Sequence, residues 1–74
     1  MSFVEITDRL MANSVGLKEI ADALGVSYST VTATRLPEAS SSHRNPPPGW
    51  EQAIAKLARE RGGELVKLAE ELEG

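Results

Sequence analysis

Apolar residues recur at the three- and four-residue spacing of a helix along most of this chain, and these recurrences predict five helices. Ser2 and Glu5 form a capping-box pattern before the first of them. Pro37 closes the third, because a residue that precedes proline disfavours helical backbone. The predicted fold class is therefore all-α, a small four- to five-helix domain with helices near residues 3–13, 17–24, 28–35, 49–61 and 64–72.

The apolar faces of the first four helices predict one shared core. Trp50 begins the apolar stripe of the fourth helix, which favours a core position for it over a platform on which bases stack. A last stripe, with Leu65, Leu68 and Leu72, leaves two alternatives open: packing on the same domain, or pairing with a second subunit. The expected core is Phe3, Ile6, Leu10, Leu17, Ile20, Ala21, Leu24, Val26, Val31, Trp50, Ile54 and Leu57.

The stretch SYSTVTAT, residues 27–34, contradicts its predicted helix locally. Six of its eight residues carry a hydroxyl and four are β-branched, a composition that favours a strand or a loop. A strand from Thr30 to Leu36 is the rival interpretation, but it would leave the helix at 17–24 without a packing partner. A helix at 28–35, with Ser27 as its N-cap, is therefore preferred.

The spacing of a few small and apolar residues accounts for this exception. Ala21 is small where a second helix crosses, Gly25 allows a sharp turn, Val26 fills the angle and Val31 anchors the next helix. From about Leu17 to Leu36 the chain resembles the helix-turn-helix of the phage repressor and Cro class of DNA-binding proteins. The resemblance implies one domain over residues 1–74, with the motif at about 17–36, a loop at 37–49 and C-terminal helices at 49–73.

The resemblance also implies sequence-specific binding of double-stranded DNA by a small bacterial or phage-type transcription regulator, with the helix at 28–35 in the major groove. When Val31 points inward on a helical wheel, Ser29 and Ala33 fall on the far side. Hydroxyls can reach base edges and phosphates, while threonine and alanine methyls can touch a thymine methyl. The expected DNA-binding residues are Lys18, Ser27, Tyr28, Ser29, Thr30, Thr32, Ala33, Arg35, His43 and Arg44.

The net charge of −3 is unusual for a DNA-binding protein, but the acids are unevenly distributed. Residues 27–49 carry two Arg and one Glu, whereas residues 64–74 carry four Glu and one Lys. The acidic end favours the alternative function, a protein-interaction adaptor that docks on RNA polymerase or a second regulator. For DNA binding, a homodimer is expected, in solution or formed on DNA, with the 64–72 stripe contributing, because one short recognition helix reaches only about 3–4 base pairs.

Composition narrows the remaining function classes. The chain has no cysteine and one histidine, so no cofactor or metal is implied, and no nucleophile, base and acid set suggests an enzyme. No apolar run reaches the roughly 20 residues of a membrane helix, and the N-terminus lacks the basic start of a signal peptide. The expected location is the cytoplasm of a bacterial or phage-infected cell.

Overall fold

The computed structural model describes residues 2–74, and all regular secondary structure within them is helical. The predicted helical class is confirmed, and the predicted bounds differ from the observed ones by one residue at four helix ends. The strand alternative at Thr30–Leu36 is wrong, because that segment opens with helix. The helices are α1 (Phe3–Ala12), α2 (Leu17–Leu24), α3 (Tyr28–Thr34), α4 (Trp50–Arg61) and α5 (Glu64–Glu73).

Both ends of α1 are closed by local hydrogen bonds. The Ser2 hydroxyl accepts the Glu5 N–H at 3.1 Å and the Glu5 carboxylate accepts the Ser2 N–H at 3.4 Å, which is the predicted capping box. At the other end the Val15 N–H donates to the Leu10 carbonyl at 2.9 Å, with Ser14 at a φ of 68°. This C-terminal motif turns Val15 fully into the core, a position that the sequence pattern did not predict.

Most predicted core residues are buried, and the rest are partly buried against them. Leu17, Leu24, Val26 and Trp50 form the partly buried set. The Trp50 and Phe3 rings meet edge to face with centroids 5.2 Å apart, which supports the core position of Trp50. Residues absent from the predicted core but buried in the structure are Thr7, Val15, Thr34, Ala55, Ala58, Leu65, Leu68 and Ala69.

Helix α5 completes the core, so the expectation that four helices enclose it is wrong. Leu65 and Leu68 are buried and Leu72 is partly buried, mainly against α4. Gly62 and Gly63, with φ values of 73° and 59°, form the break between the two helices in a backbone region that favours glycine. The stripe therefore packs within the monomer. A chain this short needs that burial for its own stability.

Exposed ion pairs join neighbouring helices around this core. Arg9 Nη1 and Glu71 Oε2 lie 2.5 Å apart, Arg61 contacts Glu19, and Arg59 Nε donates to Glu73 Oε1 at 2.9 Å. Chiefly through its hydrogen bond, Arg59 lowers the pKa of the Glu73 carboxyl, so the stabilisation from this pair is lost as the pH falls through that lowered value. Such exposed pairs contribute little to folding individually. Among the described helices, none is long and apolar enough to cross a membrane.

The burial of Leu68 predicts a large effect on stability. Leu68→Ala should lower the free energy of unfolding by about 2–5 kcal/mol, because it opens a cavity between α4 and α5. Urea denaturation followed by circular dichroism measures the change, with the exposed neighbour substitution Lys67→Ala as the matched control. A Leu68→Ala protein as stable as the control but with an altered oligomeric state would contradict the position of α5 in the monomer core.

Candidate nucleic-acid interface

The turn between α2 and α3 depends on one left-handed glycine. Gly25 ends α2 with a φ of 70°, and the next residue, Val26, donates its N–H to the Ala21 carbonyl at 3.0 Å. A Cβ at Gly25 would meet no atom within 4 Å, so the backbone conformation, and not space, requires glycine here. Val26 packs against the core, as expected, and α3 leaves the turn at an angle fixed by these contacts.

Two residues of α3 hold the helix against the core. Val31 is 1% exposed and Thr34 is 3% exposed, and the Thr34 hydroxyl donates to the Thr30 carbonyl at 2.9 Å. Ser27 caps the helix, since its hydroxyl accepts the Thr30 N–H at 3.1 Å. Thr34 was missed by the sequence analysis, although the helical wheel places it only about 60° from Val31.

The opposite face of α3 carries most of the expected DNA-binding residues. Ser27, Tyr28 and Ser29 are exposed, and Tyr28 keeps half of its surface accessible to solvent. Thr30, Thr32 and Ala33 are partly covered. We define these six residues, Ser27, Tyr28, Ser29, Thr30, Thr32 and Ala33, as the α3 outer face; it is made of short polar and methyl-bearing side chains with one aromatic ring.

Arg35 was expected to contact DNA, and the structure places its side chain against α1. It follows the last helical residue of α3, and its guanidinium lies against α1. Nη2 donates to Asp8 Oδ1 at 2.8 Å, while Nη1 donates to the buried Thr7 hydroxyl and to the Val4 carbonyl at 3.4 Å. Arg35 therefore joins the end of α3 to α1 and is not part of the α3 outer face.

The loop after α3 returns to the end of that helix. The Arg44 N–H donates to the Ala33 carbonyl at 3.3 Å, and His43 Nδ1 lies 2.8 Å from the Leu36 carbonyl. His43, which was expected to bind DNA, is half-buried. Arg44 is exposed and its backbone contacts Ala33, so the loop holds one expected cation next to the end of α3, whereas the His43 ring lies against the Leu36 carbonyl.

The cations of this protein fall into two groups. Arg9, Arg35, Arg59 and Arg61 each form an ion pair with an acid on another helix or at its end. Within residues 2–74, the side chains of Lys18, Arg44, Lys56 and Lys67 have no hydrogen-bonding or ionic partner. Lys18 lies near the start of α2, the helix before α3. Arg44 lies in the loop after α3, where its backbone contacts Ala33.

A groove that the sequence analysis missed lies beside the far end of α3. It has a volume of about 590 Å³ and lies between the start of α1, residues 34–38 and the proline-rich loop. Phe3, Val4, Leu36, Pro37 and Trp50 contribute to its walls, and Leu36 is unusually exposed for a leucine. The only signal in the sequence was the prolines, which indicate a stiff loop but not where it packs.

Comparisons of the chain with models of known protein families, with curated proteins and with solved structures give no match. The function must therefore be inferred from the geometry. Among residues 2–74, no group of histidine and acidic side chains is placed to hold a metal ion. The surface with the most distinctive chemistry is the α3 outer face, and Lys18 and Arg44 lie in the chain segments that precede and follow it.

The Arg35 contacts predict a structural effect. Arg35→Ala should lower the free energy of unfolding by about 1–3 kcal/mol, because it removes charge-assisted hydrogen bonds and leaves the Thr7 hydroxyl with fewer partners. Arg44→Ala is the matched control, since it removes the same charge from an exposed side chain without partners. Equal thermal stability of the two variants would contradict the proposed tie between α3 and α1.

Proposed function

We propose that the protein binds double-stranded DNA sequence-specifically as a small bacterial or phage-type transcription regulator. In this proposal α2 and α3 form a helix-turn-helix, and α3 enters the major groove. One observation carries the proposal: the left-handed turn at Gly25 directs Val31 into the core and the short polar side chains of α3 outward. A helix face that contacted only solvent would not require this turn, and it would not require that most of its side chains be short.

The composition of the α3 outer face suits close approach to DNA. A major groove about 12 Å wide admits one helix, and short side chains let its backbone lie near the base edges. Lys18 and Arg44 are unpaired cations in the flanking elements, where they can neutralise phosphates on either side of α3. The remaining arginines are paired with acids, so Lys18 and Arg44 belong to the few cations whose charge is not offset by an ion pair.

A homodimer remains part of the proposal, although its surface is not the α5 stripe. An α3 of seven residues reaches only about 3–4 base pairs, and two cations supply little affinity. Two copies on adjacent half-sites would double both contributions. Because Leu65 and Leu68 are buried, the contact between copies must use other residues or form only on the DNA.

The groove beside Leu36 and Trp50 supports a second candidate function. An open apolar groove of about 590 Å³ on a net-acidic domain is compatible with an adaptor that docks on RNA polymerase or on a second regulator. In that case the α3 outer face would be a solvated surface, and the protein would reach DNA only through its partner. A DNA-binding assay with the purified protein alone separates the two candidates.

Selection from a random duplex library tests the proposal directly. We expect a short sequence to be enriched, and Ser29→Glu should abolish its preference because a carboxylate in the groove is repelled by phosphates. Lys67→Ala changes the net charge by the same amount on α5 and should retain the preference. A library in which no sequence is enriched, or a Ser29→Glu protein that selects the same sequence, would contradict binding through α3.

The salt dependence of binding to the selected duplex tests the two cations. With two phosphates neutralised per copy, the logarithm of the binding constant should fall with the logarithm of salt concentration with a slope of about −1.8, and about −3.6 for two copies. Lys18→Ala and Arg44→Ala should each reduce the slope by about 0.9 per copy, whereas Lys67→Ala should not change it. A slope that is the same in all three variants would exclude Lys18 and Arg44 as phosphate contacts.

A further inference from the structure

The threonine hydroxyls of α3 form hydrogen bonds within the helix and its N-cap. The Thr32 hydroxyl donates to the Ser29 carbonyl at 2.9 Å, and the Thr34 hydroxyl donates to the Thr30 carbonyl at 2.9 Å. The hydroxyls of Ser27 and Thr30 lie 2.9 Å apart and share one hydrogen bond. A hydroxyl has a single hydrogen to donate, so Thr32 and Thr34 have none left for another molecule, whereas the Ser29 and Tyr28 hydroxyls form no hydrogen bond within residues 2–74 and keep theirs.

The same contacts decide which part of each threonine is presented outward. A threonine Cβ carries one hydroxyl and one methyl group, and a hydroxyl bonded to the preceding turn lies over the backbone. The hydroxyl oxygen can still accept a hydrogen bond, but the methyl is the group that such a threonine offers for apolar contact with an external partner. Thr32 and Ala33 are partly exposed next to each other, and both would present a methyl from the outer face.

On this basis, and provided that α3 binds the major groove as proposed above, we propose that the α3 outer face reads thymine through its 5-methyl group. The class of ligand is a half-site in which thymine lies opposite Thr32 and Ala33. Among the bases of unmodified DNA, only thymine presents a methyl in the major groove. The outer face has no arginine, asparagine or glutamine for two-point hydrogen bonding to purines, since Arg35 is held by Asp8 and Thr7.

Recognition through methyl groups and recognition through hydroxyls respond oppositely to two conservative substitutions at Thr32. Thr32→Val keeps one methyl in place and replaces the hydroxyl, whereas Thr32→Ser keeps the hydroxyl and removes the methyl. Thr32 is partly exposed and its side chain is not in the core, so both variants should fold. Circular dichroism and thermal melting check the fold of each variant before binding is measured.

The experiment uses the duplex selected from the random library and a second copy with uracil at each thymine of the half-site in turn. Wild-type protein should bind about fourfold more weakly for each methyl that it contacts, the factor expected for one buried methyl group. Thr32→Val should retain both the affinity and the sensitivity to uracil. Thr32→Ser should bind the thymine duplex about as weakly as the wild type binds the duplex with uracil opposite Thr32. Replacing that one thymine by uracil should then have little further effect on its affinity.

The possible failures are distinguishable. If a sequence is selected but uracil is tolerated at every position, methyl readout is overturned while DNA binding stands. If Thr32→Ser binds normally and Thr32→Val does not, the hydroxyl is the reading group and the inference is wrong. If the library yields no preferred sequence, both the proposed function and this inference fail.

Discussion

The burial of Val31 and Thr34 is the interaction on which the outward face of α3 depends. These residues are three positions apart, so together they fix the rotation of a helix that has only seven residues. With that rotation fixed, Ser29 must face solvent, while Tyr28 is exposed at the first turn of the helix. The local sequence does not favour this helix, since β-branched residues lose side-chain freedom in helical backbone. Tertiary packing therefore stabilises a helix whose composition can be chosen for contact with another molecule.

Contacts at both ends of α3 add to this restraint. The Gly25 turn and the Ser27 cap define where the helix begins, and Arg35 connects its end to α1. A helix shorter than about 12–15 residues is marginal in isolation, so each of these restraints matters more here than in a long helix. The result is a short helix held at both ends, which is the arrangement required of a surface that must present small groups at defined positions.

The sequence predicted the elements well because their signals are local. Apolar periodicity located α1, α2, α4 and α5, the capping box located the start of α1, and Gly25 and the Ser27 cap located the turn and the start of α3. It predicted the partners of the elements less well, because these depend on distances that spacing does not encode. The apolar spacing of the 64–72 stripe is equally compatible with a dimer interface and with a monomer core. Only the fold shows that α5 packs on α4.

The polar residues of the core show a different limit. Thr7 and Thr34 occupy positions on the inward faces of their helices, so the wheel contained the signal, but their hydroxyls made them appear exposed. Each hydroxyl is satisfied by the carbonyl of the preceding turn, which allows a threonine to be buried at little cost. The charge of Arg35 had a similar effect. It suggested a contact with DNA, although the helical wheel puts Arg35 only about 40° from the buried Val31.

The pairing of charges connects the fold to the proposed function. Four arginines join helices through acids, and this leaves their charge largely neutralised within residues 2–74. The net charge of −3 would weaken DNA binding little if all eight cations were free to contact phosphate. Only a few of them are free. Non-specific affinity for DNA comes mainly from such free cations and should therefore be low for a single copy. Discrimination would then depend on close contacts between α3 and base edges, and useful affinity on a second copy or a protein bound at the groove beside Leu36.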